Sequence, residues 1–157
     1  SEVSLSLTTA DCVPIFFHDP KASAIGLAHA GWRGTVNGIA AEVVKAMSQK
    51  LGSKPQDLRV AMGPAISQCC FEVGAEVAQE FHSRYGQQSW IEKRSDKWHI
   101  DLHEANRIWL EGSGVHSTNI RACPLCTCCR PELFYSWRRE SGKTGRLLSA
   151  IALKPMD

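Results

Sequence analysis

Residues 24–51 read AIGLAHAGWRGTVNGIAAEVVKAMSQKL and carry the clearest structural pattern of the chain. The short β-rich apolar run over residues 24–28 predicts a strand. Over residues 36–51 apolar side chains recur at steps of three and four, which is typical of one buried face of an amphipathic helix. Thr35 is placed to cap this helix, and Gly52 is placed to end it. The segment therefore predicts a strand, a turn and a helix.

Similar patterns lie on both sides of this segment. Residues 3–7 alternate between apolar and polar types, and residues 13–17 form an apolar run, so each predicts a strand. Further strands are predicted at residues 58–62, 98–102, 119–123 and 147–153, and further helices at residues 73–81 and 102–109. Because these elements mix without a strict βαβ alternation, we expect an α+β fold. It would be a mixed α/β sandwich with mixed β-sheets and about three main helices, rather than a doubly wound parallel sheet.

Length and composition exclude several classes of protein. The chain has 157 residues, of which 43% are hydrophobic and 22% charged, so disorder, collagen and coiled coil are excluded. We expect residues 1–157 to form a single domain. No apolar run approaches the roughly 20 residues that span a bilayer, and no basic segment precedes an apolar one at the N-terminus. We therefore expect a cytoplasmic protein with no membrane partner.

Charge and cysteine content narrow the partners and the compartment. The net charge of +2 is too balanced to indicate a nucleic-acid partner. A basic run extends from Arg138 to Arg146, and it is either a solvated loop or an anion site. The seven cysteines are an odd number and include the adjacent pair Cys69-Cys70, so a secreted disulfide scaffold is disfavoured. Mostly free thiols in a reducing, cytoplasmic compartment are expected.

Cys12 and His29 are the first candidates for chemistry. If the strands on either side of the Asp19-Pro20 turn pair antiparallel, the outer ends that carry these two residues come together. The imidazole could then lower the pKa of the thiol and create a nucleophile, or both groups could bind zinc. A strand cysteine packed as a small apolar side chain, beside a histidine at a strand end, is the third interpretation.

Arg33 is the second candidate, because glycines lie on both sides of it at Gly31 and Gly34. Such glycines let the backbone approach a ligand closely, and the predicted helix that follows directs N–H groups to the same place. An arginine in that position is suited to a phosphate or a carboxylate.

The third candidate is the segment CPLCTCC, which contains Cys123, Cys126, Cys128 and Cys129. Its C-x-x-C spacing could hold zinc or support redox chemistry. A structural zinc site usually pairs two such motifs, and Cys69-Cys70 lacks that spacing. We therefore expect loop cysteines in a reducing environment rather than a closed four-thiolate site.

Five motifs follow one another along the chain, namely TTADCVP at residues 8–14, HAGWRG at 29–34, GPAI at 63–66, CT at 126–127 and FYSWRR at 134–139. Together they resemble one known family, the multicopper polyphenol oxidase (laccase-domain) proteins, also called the peptidoglycan editing factor family. Members are now regarded as purine nucleoside phosphorylases, and some are linked to peptidoglycan editing. The resemblance covers nearly the whole chain, and its most specific block is HAGWRG.

The resemblance implies an active-site metal, usually zinc, held by two histidines and one cysteine. Cys12 matches the cysteine ligand and His29 the second histidine. The family's first histidine comes from a segment well upstream, so the chain resembles the C-terminal two-thirds of a full member. The implied activity is phosphorolysis of inosine or adenosine, with adenosine deamination as a further reaction. Arg33 is the expected phosphate binder, and Arg139 is the second candidate.

Two alternatives from other classes stay open. A copper-dependent, laccase-like polyphenol oxidase would use copper in place of zinc, although laccases proper need many more histidines in paired motifs than the six scattered ones here. A non-catalytic zinc-binding module, or an inactive fragment, would be built on the loop from Cys123 to Cys129. The expected partners of the enzyme are a purine nucleoside and phosphate, and homodimer formation is left open.

Overall fold

The computed structural model describes residues 3–153, and residues 1–2 and 154–157 of the predicted domain lie outside the described residues. The elements follow in chain order as β1 (Ser4–Thr9), β2 (Val13–Asp19), β3 (Ala24–Ala30), α1 (Trp32–Val36), α2 (Ile39–Leu51), β4 (Arg59–Met62), β5 (Glu72–Val73), α3 (Ala75–Tyr85), β6 (Ile91–Arg94), β7 (Lys97–Ile100), α4 (Leu102–Gly112), β8 (Ile120–Ala122) and β9 (Leu147–Ala152). Short 3₁₀ turns lie at Pro55–Asp57 and Ser117–Asn119.

The strands form three sheets. The central sheet has the order β3-β2-β4-β8, in which β4 and β8 pair parallel and the other neighbours pair antiparallel. β1 pairs with β9 in a two-stranded antiparallel ribbon, and β5, β7 and β6 form a third, antiparallel sheet. These mixed sheets, with the three longer helices α2, α3 and α4, confirm the predicted α+β class. No helix within residues 3–153 has the length and apolar character needed to cross a bilayer.

The core lies around β2, which has strand neighbours on both sides in the central sheet, as β4 also does. Val13, Ile15 and Phe17 of this strand are fully buried, as expected for a central strand whose sequence is an apolar run. Helix α2 packs on β3, where a Cβ added to Gly26 would lie 3.0 Å from the Met47 sulfur. A glycine at this position is therefore what allows the close approach of the helix to the sheet.

The predicted helix is broken in two, which corrects the expectation that Thr35 caps it. α1 ends at Val36, and α2 begins after Gly38, whose φ is +76°. A Cβ on Gly38 would meet the Trp109 ring at 3.2 Å. Thr35 is buried inside α1, where its carbonyl oxygen accepts a hydrogen bond from Trp109 Nε1 at 2.8 Å. The break follows from the packing of α1 against α4. The spacing of apolar residues within the segment carries no information about that contact.

Most other boundaries match the sequence patterns. Asp101 caps α4 by accepting hydrogen bonds from the backbone N–H groups of His103 and Glu104. Gly52 ends α2 in the left-handed conformation, as predicted. The helix predicted from Val73 begins at Ala75 instead, because Val73 pairs with Trp98 in the third sheet.

Candidate active site

The structure brings Cys12 and His29 to one cavity of about 420 Å³. β2 and β3 pair antiparallel with Val13 opposite Ala30, so the end of β3 lies beside the residue that precedes β2. His29 is exposed and Cys12 is half-buried. A Cβ on Gly31 would lie 3.1 Å from the Cys12 sulfur, so a glycine there leaves room for the thiol. Both side chains line the same cavity, and the predicted pairing and its chemical role stay a prediction.

The cavity combines aromatic, cationic and sulfur-containing walls. Its volume falls within the range of about 300–1,000 Å³ that is typical of small-molecule sites. Two guanidinium groups, those of Arg138 and Arg146, take part in the lining. The remaining lining residues that bear on binding are Thr8, Thr9, Ile66 and Leu102, with the rings of Trp32, Phe71 and Trp137.

The surroundings of Cys12 do not favour a thiolate by themselves. Burial raises the pKa of the Cys12 thiol, and the negative charge of Asp11 raises it further. The interpretation in which His29 generates a nucleophilic thiolate therefore gains no electrostatic support. A thiol and an imidazole are donors that suit zinc, and a bound metal deprotonates its thiol ligand. Cys12 and His29 therefore offer donor atoms of the kinds that zinc binds, and within residues 3–153 no third His, Cys, Asp or Glu forms a ligand group with them.

Asp11 connects the Cys12 segment to the loop of residues 126–139. Its buried carboxylate accepts hydrogen bonds from the Thr127 hydroxyl at 2.7 Å, the Ser136 hydroxyl at 3.1 Å and the Arg138 backbone N–H at 2.7 Å. Its φ of +84° is in the left-handed region, which aspartate tolerates better than most residues. This role of Asp11 was not predicted from the sequence. The signal that could have indicated it is an acidic residue directly before an apolar strand.

Arg139 has a structural position, and its expected role in binding phosphate stays a prediction. Its Nη1 donates to the carbonyl oxygens of Thr127 at 2.8 Å and Cys128 at 3.1 Å. Its Nη2 donates at 2.7 Å to both the Phe134 carbonyl oxygen and the Glu140 carboxylate. Four of the five N–H donors of a guanidinium are thereby used inside the loop. The neighbouring Arg138 and the later Arg146 line the cavity instead. The basic run that contains them was the sequence feature that indicated an anion site.

Arg33 also lies outside the lining of this cavity. Its side chain is exposed, and its guanidinium stacks 4.2 Å from the centre of the Trp32 ring. α1 has five residues, too few to present the developed helix N-terminus on which the prediction depended. Trp32, rather than Arg33, therefore lines the cavity, and phosphate binding by Arg33 stays a prediction.

Four of the cysteines outside the cavity lie close together. The sulfur atoms of Cys69, Cys70, Cys126 and Cys129, here named the four-cysteine cluster, all lie within 4.8 Å of one another. Burial raises the pKa of Cys126, but backbone N–H donors led by that of Ser67 outweigh it and lower the value to about 7. Burial raises the pKa of Cys69 to about 11. The cysteines are free thiols, and the preference for loop cysteines over a closed four-thiolate site stays a prediction, but two distant loops bring four of these sulfurs together here.

Comparisons with known proteins match nearly the whole chain. The family model described as "Multi-copper polyphenol oxidoreductase laccase" matches residues 1–154. Purine nucleoside phosphorylase YlmD of Bacillus subtilis (strain 168) is 44% identical over 154 residues, which cover 97% of this chain and 55% of the relative. Adenosine deaminase RL5, from an unknown prokaryotic organism, is 40% identical and is covered over 59% of its length, with 97% of this chain matched.

The solved structures agree with the sequence matches. The crystal structure of YlmD from Geobacillus stearothermophilus superposes with a TM-score of 0.91 at 41% identity, over 98% of this chain and 58% of that chain. The chain thus spans a little over half the length of the relatives that it matches. On the family match, the shared fold and these identities, the chain belongs to the multi-copper polyphenol oxidoreductase laccase family.

Proposed function

We propose that this chain carries the catalytic cavity of a purine nucleoside phosphorylase, which exchanges the purine base of a nucleoside for phosphate. The observation that carries the proposal is a single cavity that combines Cys12 and His29 with three aromatic rings and two guanidinium groups. Relatives named purine nucleoside phosphorylase support it. We further propose that residues 1–157 act as one catalytic domain in the cytoplasm, where thiols stay reduced.

The aromatic rings provide the site for the purine. Trp32, Phe71 and Trp137 line the cavity, and a planar heteroaromatic base gains both apolar burial and ring stacking against such side chains. Trp137 is 51% exposed, so a large apolar surface is available for a ligand to cover. We assign the base to this aromatic part of the cavity.

Arg138 and Arg146 provide the site for phosphate. The Arg146 guanidinium lies 5.1 Å from the centre of the Trp137 ring and donates through Nη1 alone to two nearby carbonyl oxygens. The Arg138 guanidinium lies 5.6 Å from the Phe71 ring centre and donates through Nη1 to the Cys70 carbonyl oxygen. Each therefore keeps N–H donors for the charge-assisted, bidentate bonds by which arginine holds phosphate.

The chemistry of phosphorolysis sets the remaining requirements. A phosphate oxygen forms a bond to C1′ of the ribose, the C1′–N9 bond breaks, and the purine leaves with the bonding electrons and takes up a proton. The arginines hold the attacking anion, and the rings hold the leaving base. We assign to Cys12 and His29 the role of zinc ligands, and zinc bound there would supply a Lewis acid.

The test is phosphate-dependent release of hypoxanthine from inosine by the full chain. We expect Cys12→Ala to abolish turnover and Arg146→Ala to raise the KM for phosphate about tenfold, the loss of roughly 1.4 kcal/mol of charge-assisted bonding. Arg33→Ala is the matched control, since it removes an exposed arginine outside the cavity. Turnover that survives Cys12→Ala, or the absence of phosphate-dependent turnover, would remove the proposal.

Adenosine deamination is a second candidate, favoured by the relative named Adenosine deaminase RL5. The same aromatic walls and metal ligands would serve a purine that loses its exocyclic amino group to water. Ammonia release from adenosine without phosphate measures this reaction separately. Arg146→Ala should leave it unchanged, because no anion is a substrate.

Copper-dependent oxidation of phenols is the third candidate, favoured by the description of the family. Oxygen uptake with a phenolic substrate, together with the copper content of the purified protein, tests for this oxidase activity. Oxygen uptake in proportion to bound copper would support the oxidase, and zinc-loaded protein that turns over inosine would exclude it as the main activity.

A further inference from the structure

The four-cysteine cluster has the geometry of a metal site distinct from the candidate active site. The Cys69 sulfur lies 3.7 Å from the sulfur of Cys70 and 3.7 Å from that of Cys129, and the Cys70 and Cys129 sulfurs are 3.3 Å apart. In a tetrahedral zinc site with Zn–S bonds of about 2.3 Å, neighbouring sulfurs lie about 3.8 Å apart. A disulfide would need about 2.05 Å. The separations match the edges of a metal–thiolate tetrahedron.

Backbone pairing brings the two halves of the cluster together. β4 and β8 pair parallel directly before the two loops, and a further bridge joins Ala65 to Cys126. The Thr127 N–H donates to the Ala65 carbonyl oxygen at 3.0 Å, and the Cys123 N–H donates to that of Met62 at 2.9 Å. Because the main chain alone aligns the loops, the thiols are held close together before any metal binds.

The surroundings of Cys126 are suited to a metal-bound thiolate. The Ser67 N–H donates to the Cys126 sulfur at 3.4 Å, and the N–H groups of Cys128 and Cys129 also point to it. Such N–H donors act as the outer shell that orients a sulfur ligand and offsets its charge. Cys126 and Cys129 also have the C-x-x-C spacing of a zinc knuckle. The segment from Cys126 to Cys129 therefore has both the cysteine spacing and the N–H···S hydrogen bonds that are typical of a zinc knuckle.

Cations near the cluster offset the excess negative charge of four thiolates on one divalent metal. Arg138 donates to the Cys70 carbonyl oxygen at 3.3 Å. The Arg94 guanidinium lies close enough to interact with the charge of Cys69. Arg94 also pairs with the Glu92 carboxylate at 2.6 Å, so these two cations would offset only part of the charge on the solvent side of the metal site.

We propose that the four-cysteine cluster is a structural zinc site closed by four thiolates. With every position filled by a protein ligand, such a site has no room for a reacting water, so it stabilises rather than catalyses. It joins the loop before Phe71 to the loop that carries Arg138, and both residues line the candidate active site. Zinc there clamps one wall of the cavity, whatever reaction the cavity performs.

The test uses the reduced full chain carrying Cys12→Ala, so that metal bound at the candidate active site does not contribute. After metal removal by a chelator, this protein is titrated with zinc and, separately, with cobalt. We expect one equivalent of zinc to bind and to raise the midpoint temperature of unfolding. Cobalt should give the thiolate charge-transfer absorption and intense visible bands of a tetrahedral four-thiolate site.

Single cysteine variants in the same background identify the ligands. Cys129→Ser should lower zinc affinity roughly 100-fold or more, since loss of an outer-shell partner alone costs 10–100-fold. Cys123→Ser, in the same loop but outside the cluster, should bind zinc normally. Unchanged affinity in Cys129→Ser would overturn the proposal, as would a disulfide between Cys70 and Cys129 in place of metal uptake. If Cys129→Ser does not fold, the charge-transfer intensity per cobalt in the parent protein counts the thiolates, and fewer than four overturns it.

Discussion

The Asp11 carboxylate accepts a 2.7 Å hydrogen bond from the Thr127 hydroxyl, across 116 positions of the chain. Both side chains are buried, so the bond is shielded from water. The second carboxylate oxygen takes the Arg138 backbone N–H. One aspartate next to Cys12 therefore fixes the loop that delivers an arginine to the same cavity.

Replacing Asp11 by Asn tests this connection. Asn also tolerates a left-handed backbone, so the change removes acceptor capacity without adding backbone strain. We expect a loss of about 3 kcal/mol of unfolding free energy, because buried donors lose a charged partner. Urea denaturation measures it, with Asp96→Asn in an exposed turn as the control, expected to stay within about 0.5 kcal/mol of the parent. Equal stability of the two variants would contradict the connecting role.

Arg139→Lys tests the structural role of Arg139. The single ammonium of lysine does not reproduce a planar fork that reaches four acceptors, so we expect a loss of about 2 kcal/mol of unfolding free energy. The KM for phosphate should not change, since the guanidinium is used inside the loop. Steady-state kinetics at saturating inosine measures that constant. A selective rise in KM with unchanged stability would restore Arg139 as a phosphate ligand.

Substitutions at Gly38 and Gly52 test whether the Trp109 ring contact matters for the helix break, with Gly52 as the control. Both have left-handed φ, at +76° and +70°, but a Cβ meets the Trp109 ring only at Gly38, and nothing lies within 4 Å at Gly52. We expect Gly52→Ala to cost about 1 kcal/mol of unfolding free energy through backbone strain alone. Gly38→Ala should cost about 2 kcal/mol or more, because overpacking is added. Thermal unfolding compares them, and equal losses would show that the ring contact is unimportant.

Asp19 makes the free energy of unfolding depend on pH in the acidic range. Burial raises the pKa of Asp19, but the N–H groups of Ala22 and Lys21 outweigh burial and lower the pKa below its ordinary value. A carboxylate with a lowered folded-state pKa adds stability above the unfolded value, near pH 4, and loses it as the pH falls through the folded value. The stability gap between wild type and Asp19→Asn should therefore be largest at neutral pH and shrink below about pH 4. Urea unfolding at several pH values measures it, and a constant gap would contradict the assignment.

The parts of the fold that follow from local patterns were predictable. β2 and β3 are apolar runs joined by a short turn, so their antiparallel pairing, and with it the approach of Cys12 to His29, could be inferred. Asp101 caps α4, and its three-residue spacing to Glu104 is the local pattern of a capping box. β6 was not predicted, because Ile91 is its one buried residue and the strand therefore lacks the alternation of apolar and polar residues that predicts a strand.

The parts that depend on distant contacts were not predictable. The break at Gly38 depends on Trp109 of α4, which no window around Gly38 contains. The four-cysteine cluster depends on the parallel pairing of β4 with β8, and parallel neighbours are joined by long connections. Arg138 and Arg139 are adjacent in sequence, and the loop conformation alone decides which of them reaches the cavity.

The ribbon of β1 and β9 has a consequence for biosynthesis. Ser4 pairs with Ala152, so the first described strand finds its partner in the last described strand. Closing so long a loop is entropically costly and slow, whereas the β2–β3 hairpin closes within a few residues. Until residues 147–152 have been synthesised, β1 lacks β9 as a partner, and the edge that β9 covers is available to chaperones or to other nascent chains.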